Sequence, residues 1–339
     1  MNMKKNTFRL WRKQILILAG LFALAAGVIY KNGAKAVGTI FGDTEASVYA
    51  VIKKTGMCRI YSFDRYCREN MFPAGINFGV YDPEGSFAGQ TSMAVDHYFI
   101  DWIKYDQTEM VKNLQASIAK NRWPLITIES WAEEGKKDTL LADIANGEYD
   151  GQIEKICGDI GSINNPVFIR WGHEMEIVSG RYPWAVSDGQ IYQQAYKHVV
   201  NKCRENIGQA YWVWSPAGSK GLEKYWPGGE NVDYVGLSVY AFDEFDQKNY
   251  GRRLAFEEIF ADKYGRVKGY NKPVIIAEMG VNGSREQQEW WMKGFYAGAD
   301  NYPLLKTAVY FNAGDSAEAW GQEYSVPDWR ISPQVFAGK

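Results

Sequence analysis

Glu174 and Glu278 each stand where a strand-like hydrophobic run gives out. The first run, Pro166-Val167-Phe168-Ile169-Arg170-Trp171, breaks into Gly172-His173-Glu174. The second, Pro273-Val274-Ile275-Ile276-Ala277, ends at Glu278-Met279-Gly280. A carboxylate at the exit of a buried strand is costly to keep dry unless it is paired or hydrogen-bonded. Two of them among clustered aromatics suit an acid and a nucleophile acting on a glycosidic bond. Two structural carboxylates held in ion pairs fit the same pattern, because such networks also bury acids. A third carboxylate, Glu129, ends the run Trp123–Glu129 just ahead of Ser130-Trp131. It reads either as a substrate-binding group or as a network partner of the other two.

The elements that must position these groups recur down the chain. Strand-like runs occur at Gly75–Val80, His97–Trp102, Trp123–Glu129, Pro166–Trp171, Ala210–Trp214, Asp233–Tyr240, Pro273–Glu278 and Leu305–Phe311. Most are near-continuously apolar, as parallel strands buried on both faces are. Helical stretches lie between them at Thr108–Ala119, Asp188–Glu205, Ala255–Val267 and Ser284–Gly298, with Asp188 and Ser284 suited to N-caps. Residues 132–164 have room for two helical pieces. Eight strands alternating with helices over about 265 residues is the count of a (β/α)8 TIM barrel. An open doubly wound sheet is the alternative, but the Gly-rich loop it needs after the first strand is missing. A barrel places its chemistry at the C-terminal strand ends. Those ends carry Tyr81-Asp82, Asp101-Trp102, Glu129-Ser130-Trp131, His173-Glu174, Trp214-Ser215, Tyr240, Glu278 and Phe311-Asn312. Trp131 and Trp214 there are candidate platforms for sugar rings.

Composition narrows the function further. Of 339 residues, 46% are apolar, enough for a large core and against disorder. Net charge is −2, and no Lys/Arg block occurs beyond the N-terminus, so a nucleic-acid footprint is absent. Aromatic residues reach 15%, which suits flat surfaces for sugars as well as a core. His173-Glu174-Met175-Glu176-Ile177 begins like a zinc-protease motif, but Ile177 replaces the second ligand, so no metal or other cofactor is expected. Lys4, Lys5, Arg9, Arg12 and Lys13 precede an uncharged stretch from Gln14 to Tyr30, the mark of a signal peptide or membrane anchor. Residues 1–36 are therefore read as signal or anchor with its linker, and 37–339 as an exported catalytic domain. Export permits disulfides: Cys58 and Cys67 can close a small loop, and Cys157 and Cys203 can pair if their helices are neighbours.

The chain resembles glycoside hydrolase family 26, the β-mannanase-type family of the clan A barrels. The matching pieces run from Phe168-Ile169-Arg170-Trp171-Gly172-His173-Glu174-Met175 through Tyr182-Pro183-Trp184 and Trp212-Val213-Trp214-Ser215-Pro216. They continue with Tyr225-Trp226-Pro227-Gly228, then Val232 to Tyr240, then Lys272-Pro273 to Gly280. The resemblance covers roughly residues 72–325. It implies a retaining mechanism, with Glu174 as acid and then base and Glu278 as nucleophile. It also implies that His173 helps orient the nucleophile, that Tyr240 lies near it, that Arg170 supports the carboxylates from inside the barrel, and that Trp184 lines the sugar cleft. The implied substrate is a β-1,4-linked polysaccharide: β-glucan, mixed-linkage glucan or mannan. The family commonly has Asn-Gly soon after His-Glu-Met; here Glu176-Ile177-Val178-Ser179-Gly180-Arg181 intervenes beside the acid. The rival from another class is a non-catalytic carbohydrate-binding barrel attached to an envelope polysaccharide machinery.

Overall fold

A computed structural model of the chain describes residues 76–163, 165–317 and 319–336. The signal or anchor segment, and Cys58 and Cys67, lie outside the described residues. Among the described residues, no helix is long and apolar enough to cross a membrane.

Eight parallel strands close into a barrel in chain order: β1 (Asn77–Tyr81), β2 (Met93–Asp101), β3 (Trp123–Glu129), β4 (Val167–Trp171), β5 (Ala210–Trp214), β6 (Tyr234–Ala241), β7 (Val274–Val281) and β8 (Leu305–Phe311). The helices are α1 (Gln107–Ala119), α2 (Leu140–Ala145), α3 (Asp150–Gly161), α4 (Gly189–Arg204), α5 (Asp243–Tyr250), α6 (Phe256–Val267), α7 (Arg285–Gly298) and α8 (Pro333–Phe336). This is the (β/α)8 barrel that the strand count implied, with both helical pieces before β4 present. The β1–β2 crossover carries no α-helix, and the β5–β6 crossover has only the 3-10 turns Leu222–Tyr225 and Gly229–Asn231. Two departures have physical causes. β2 starts at Met93 rather than His97, because Asp96 is neutralised by Arg122 at 2.7 Å and a paired acid can sit in a buried strand. The helix α5 was not anticipated, since its polar run of Asp243, Glu244, Asp246, Gln247 and Lys248 reads as loop.

Capping and burial fix the helical layer. Asp188 accepts from the Gln190 amide at 2.9 Å to start α4, and Ser284 with Gln287 forms a capping box on α7. On α4, Tyr192, Ala195, Tyr196, Val199, Val200 and Cys203 form one buried stripe at helical spacing. Cys203 is disulfide-bonded to Cys157 of α3, with Cα atoms 5.2 Å apart.

Strand parity separates two cores. Val167, Ile169 and Trp171 of β4 face the helices, leaving Phe168 and Arg170 inside. At the N-terminal end of the barrel, Phe168 packs against Trp123, Tyr211 and Tyr234 at centroid distances of 5.2–5.8 Å. This aromatic layer plugs the barrel floor, so the charged layer above it opens only toward the C-terminal strand ends.

Candidate active site

Arg170 is the centre of the inner layer. It has no exposed side-chain surface, and in a dry interior a guanidinium requires a counter-charge. Nη1 donates to Oε1 of Glu278, Nε donates to Ser215 Oγ at 2.9 Å, and Nη1 also reaches Thr127 Oγ1 at 3.4 Å. Tyr240 donates its hydroxyl to Oε2 of Glu278 at 2.7 Å. Burial and the Glu278 charge push the Tyr240 phenol well up, so it remains a donor. Glu278 therefore receives one donor on each oxygen, the environment of an anion.

A local irregularity aims Glu278 inward. Leu237 pairs with Ile276 and Ser238 with Glu278, leaving Ala277 as an extra residue in β7. Val274 and Ile276 belong to the outer core, and so do Met279 and Val281. The in–out alternation thus changes phase at Ala277-Glu278. This is the effect of a β-bulge, which re-aims side chains at barrel rims.

Glu174 is held by a second irregularity. Gly172 has φ +59° and Glu174 has φ +54°, a left-handed conformation uncommon for a residue with a Cβ. A Cβ at Gly172 would meet the Tyr192 ring at 3.0 Å, so the turn needs glycine there. The Glu174 amide donates to Ser215 O at 2.8 Å, which ties the turn to the end of β5. Burial, then the Glu278 charge, raise the Glu174 carboxyl above the ordinary glutamate range; Arg170 and Ser238 oppose this. The Glu174 carboxyl is thus pushed toward its neutral form, while each oxygen of Glu278 is gripped by a donor.

Glu129 completes a group of three acids. Burial, with a contribution from Glu278, raises its carboxyl to about 7. It accepts from Trp131 Nε1 at 3.2 Å, and His173 Nε2 stands 4.0 Å from its other oxygen. Burial and the Arg170 charge hold His173 neutral. The carboxylate that His173 meets is thus Glu129, whereas the resemblance had given it to Glu278. Trp184 is fully buried, donates to His173 O at 2.7 Å and stacks on Tyr182 at 4.7 Å. It backs the cleft wall, and Tyr182 stands between it and Arg181.

The expectation for Trp214 does not survive. Its ring is buried in the outer layer against Trp226 at 5.0 Å and Tyr270 at 5.5 Å. Ser215, the residue just after β5, and not Trp214, turns inward to Arg170. Rim polarity was partly ordinary too. Asp82 accepts from Phe87 N and Asn312 Nδ2, while Asp101 caps the turn at Ile103 and Lys104.

Several residues at the site had no role assigned from sequence, although Tyr81 and Phe311 stood among the strand-end groups. Tyr81, Phe99 and Phe311 form a half-buried aromatic floor, with Tyr81 4.9 Å from each of the other two rings. Counting by twos from His97 finds Phe99. The inserted loop also has a built anchor: both oxygens of Glu176 accept from the Ala217, Gly218 and Ser219 amides at 2.8–3.2 Å. Lys263 holds the Ala217 and Ser238 carbonyls at 2.8 and 2.6 Å, bracing the same region. At the end of the loop, Arg181 lies over the Tyr182 ring at 4.7 Å and faces Asp315 of the β8 loop at 3.6 Å. Asp315 is in turn fixed by the indole N–H groups of Trp320 and Trp329 at 3.1 and 3.0 Å.

A closed parallel barrel with acids gathered at its C-terminal mouth defines the class as a (β/α)8 barrel with its candidate site at the strand ends. The particular family follows from comparison: residues 98–316 match the family model "Glycosyl hydrolase family 26", and the chain belongs to that family. A β-1,3-xylanase of a Vibrio species is 28% identical over 222 residues, covering 56% of this chain and 45% of its own length. Endoglucanase H of Acetivibrio thermocellus is 26% identical over 260 residues, covering 71% of this chain and 26% of its own. The chain thus spans less than half the length of these curated relatives. A modular endo-β-1,4-mannanase from Cellulomonas fimi shares the fold with a TM-score of 0.56 at 15% identity, over 80% of this chain and 72% of that one.

Proposed function

We propose that the chain is a retaining endo-β-glycanase, with Glu174 as general acid and then base and Glu278 as nucleophile. The observation that carries this reading is the opposed environments of the two carboxyls. Glu278 is aimed by a bulge and gripped by Arg170 and Tyr240, while Glu174 is held up by burial and by the Glu278 charge. Such a pair supplies a proton to the leaving oxygen and a carboxylate to the anomeric carbon. Once the leaving group departs, Glu174 is ionised and takes a proton from the water that releases the sugar. Arg170 and Tyr240 stabilise Glu278 as the departing carboxylate in that second step. Tyr81, Phe99 and Phe311 offer apolar faces to the ring.

The substrate class is a β-linked polysaccharide. The relatives are named for xylan, glucan and mannan, so the β-1,4 linkage expected from sequence is widened to include β-1,3. Export is part of the proposal: the Cys157–Cys203 disulfide suits an oxidising compartment, as does the basic-then-apolar N-terminal sequence.

The test is a panel of β-mannan, mixed-linkage β-glucan, cellulose derivatives and β-1,3-xylan, digested by the parent protein, Glu174→Gln and Glu278→Ala. Cleavage by the parent alone, with the retained anomer appearing first in the NMR spectrum, is expected. An inverted first product overturns the retaining assignment. Binding without cleavage by the parent would instead support the non-catalytic barrel.

A further inference from the structure

Arg181 and Asp315 have no role in the chemistry above, yet both are built into the mouth of the site. The loop carrying Arg181 is pinned at three places: the Glu176 carboxylate in its cradle of amides, Lys137 Nζ donating to Gly180 O at 2.7 Å, and the stack on Tyr182. Asp315 is held by two indoles and by the Ser316 amide at 2.8 Å. The facing atoms stand 3.6 Å apart, beyond a hydrogen bond, with 25% and 11% of the two side chains exposed. Among the described residues, no hydrogen bond from the Arg181 guanidinium is present. A rigid donor fork and a rigid acceptor therefore sit side by side at the cleft, both with unused capacity.

We propose that Arg181 and Asp315 are specificity-determining residues that read adjacent hydroxyls of an uncharged pyranose bound beside the scissile bond. One hydroxyl donates to Asp315 Oδ1, and its neighbour accepts from the Arg181 fork. A hydroxyl can serve either role, and a pair held at fixed spacing distinguishes axial from equatorial arrangements. The sugar is neutral because the charges already balance: Arg170 faces Glu278, and Arg181 faces Asp315. A uronate at this position would meet the Asp315 and Glu278 carboxylates together. The Tyr182 ring under the guanidinium stands 4.8 Å from the ring of His173, the residue before Glu174, so the recognised sugar lies next to the reacting one.

This inference rests on the glycan-cleaving reading of the site, and its test separates the two. Parent, Arg181→Ala, Arg181→Lys and Asp315→Asn are compared on mannohexaose, cellohexaose and β-1,3-xylohexaose, with KM and kcat measured separately. Arg181→Ala is expected to lose about ten- to a hundredfold in kcat/KM on the best substrate, mainly through KM, and to narrow the preference among the three sugars. Arg181→Lys recovers little, since a point charge does not reproduce the fork. The double variant Arg181→Ala with Asp315→Asn loses no more than the worse single change, because the two act as one unit. Equal fractional losses on all three sugars accompanied by a lower Tm would mark a loop brace and overturn the proposal, as would no loss. If the parent cleaves none of the sugars, calorimetric titration of the same variants decides: weakened binding supports the pair, and unchanged or absent binding overturns it.

Discussion

Arg170→Met removes the buried cation from the centre of the barrel while keeping most of its volume. Arg170 has no exposed side-chain surface and Glu278 only 10%, so the change leaves a carboxylate in a nearly dry cavity beside Glu174. Breaking one side of such a pair costs roughly 3–5 kcal/mol. Glu278→Gln makes the mirror-image defect, an uncompensated guanidinium, and carries a cost of the same order. Removing both charges removes both defects. The double variant is therefore expected to cost no more than either single one, a coupling of about 3 kcal/mol or more in a double-mutant cycle. For a domain of this size, about 1 kcal/mol moves Tm by roughly 2–4 °C, so each single variant is expected to melt some 6–20 °C below the parent. Thermal and urea melts of all four proteins at neutral pH read the cycle. Additivity within about 0.5 kcal/mol would refute the claim that Arg170 exists to hold the charge of Glu278.

Other consequences follow from the same geometry. Glu129 has its carboxyl raised to about 7, so the folded protein binds that proton more tightly than the unfolded chain does. Its contribution is fully present below the unfolded pKa of about 4.5 and is lost as pH rises toward 7; Glu129→Gln should therefore gain on the parent by up to roughly 3 kcal/mol between pH 4.5 and 7.5 in parallel melts, and a constant difference would contradict this. Glu174→Ala should lose about 10²–10⁴-fold on polysaccharide but far less on a dinitrophenyl glycoside, whose leaving group needs no proton; equal losses on both would remove Glu174 from the acid role. The Cys157–Cys203 bridge spans 46 residues. On the chain-entropy model it contributes about 4 kcal/mol, so Cys157→Ala with Cys203→Ala should melt clearly lower with kcat little changed.

Much of the barrel was legible because parallel strands buried on both faces leave continuous apolar runs, and β3 and β8 matched these to the residue. The carboxylates were legible because charge at a strand exit interrupts that pattern. Three things were not. The bulge at Ala277-Glu278 and the left-handed Glu174 are backbone events that side-chain patterns do not encode. Trp214 and Ser215 are neighbours at the end of β5, and only parity against the outer core tells which one faces the site. The Arg181–Asp315 pair joins loops 134 positions apart in the chain, and no local signal links them (315 − 181 = 134). His173 shows a related limit: its position in the motif was evident, but its carboxylate partner depended on how β3 and β4 lie side by side.

The central claim is that Glu278 is the nucleophile, and a covalent trap tests it most directly. The parent protein is incubated with a 2-deoxy-2-fluoro glycoside of the sugar it cleaves, carrying a dinitrophenyl leaving group, and then examined by intact mass and peptide mapping. The expected result is one sugar per chain, attached to the peptide containing Glu278, with labelling abolished in Glu278→Ala and preserved in Glu174→Gln. A label on Glu174 or Glu129, or turnover to an inverted product with no adduct at all, would contradict it.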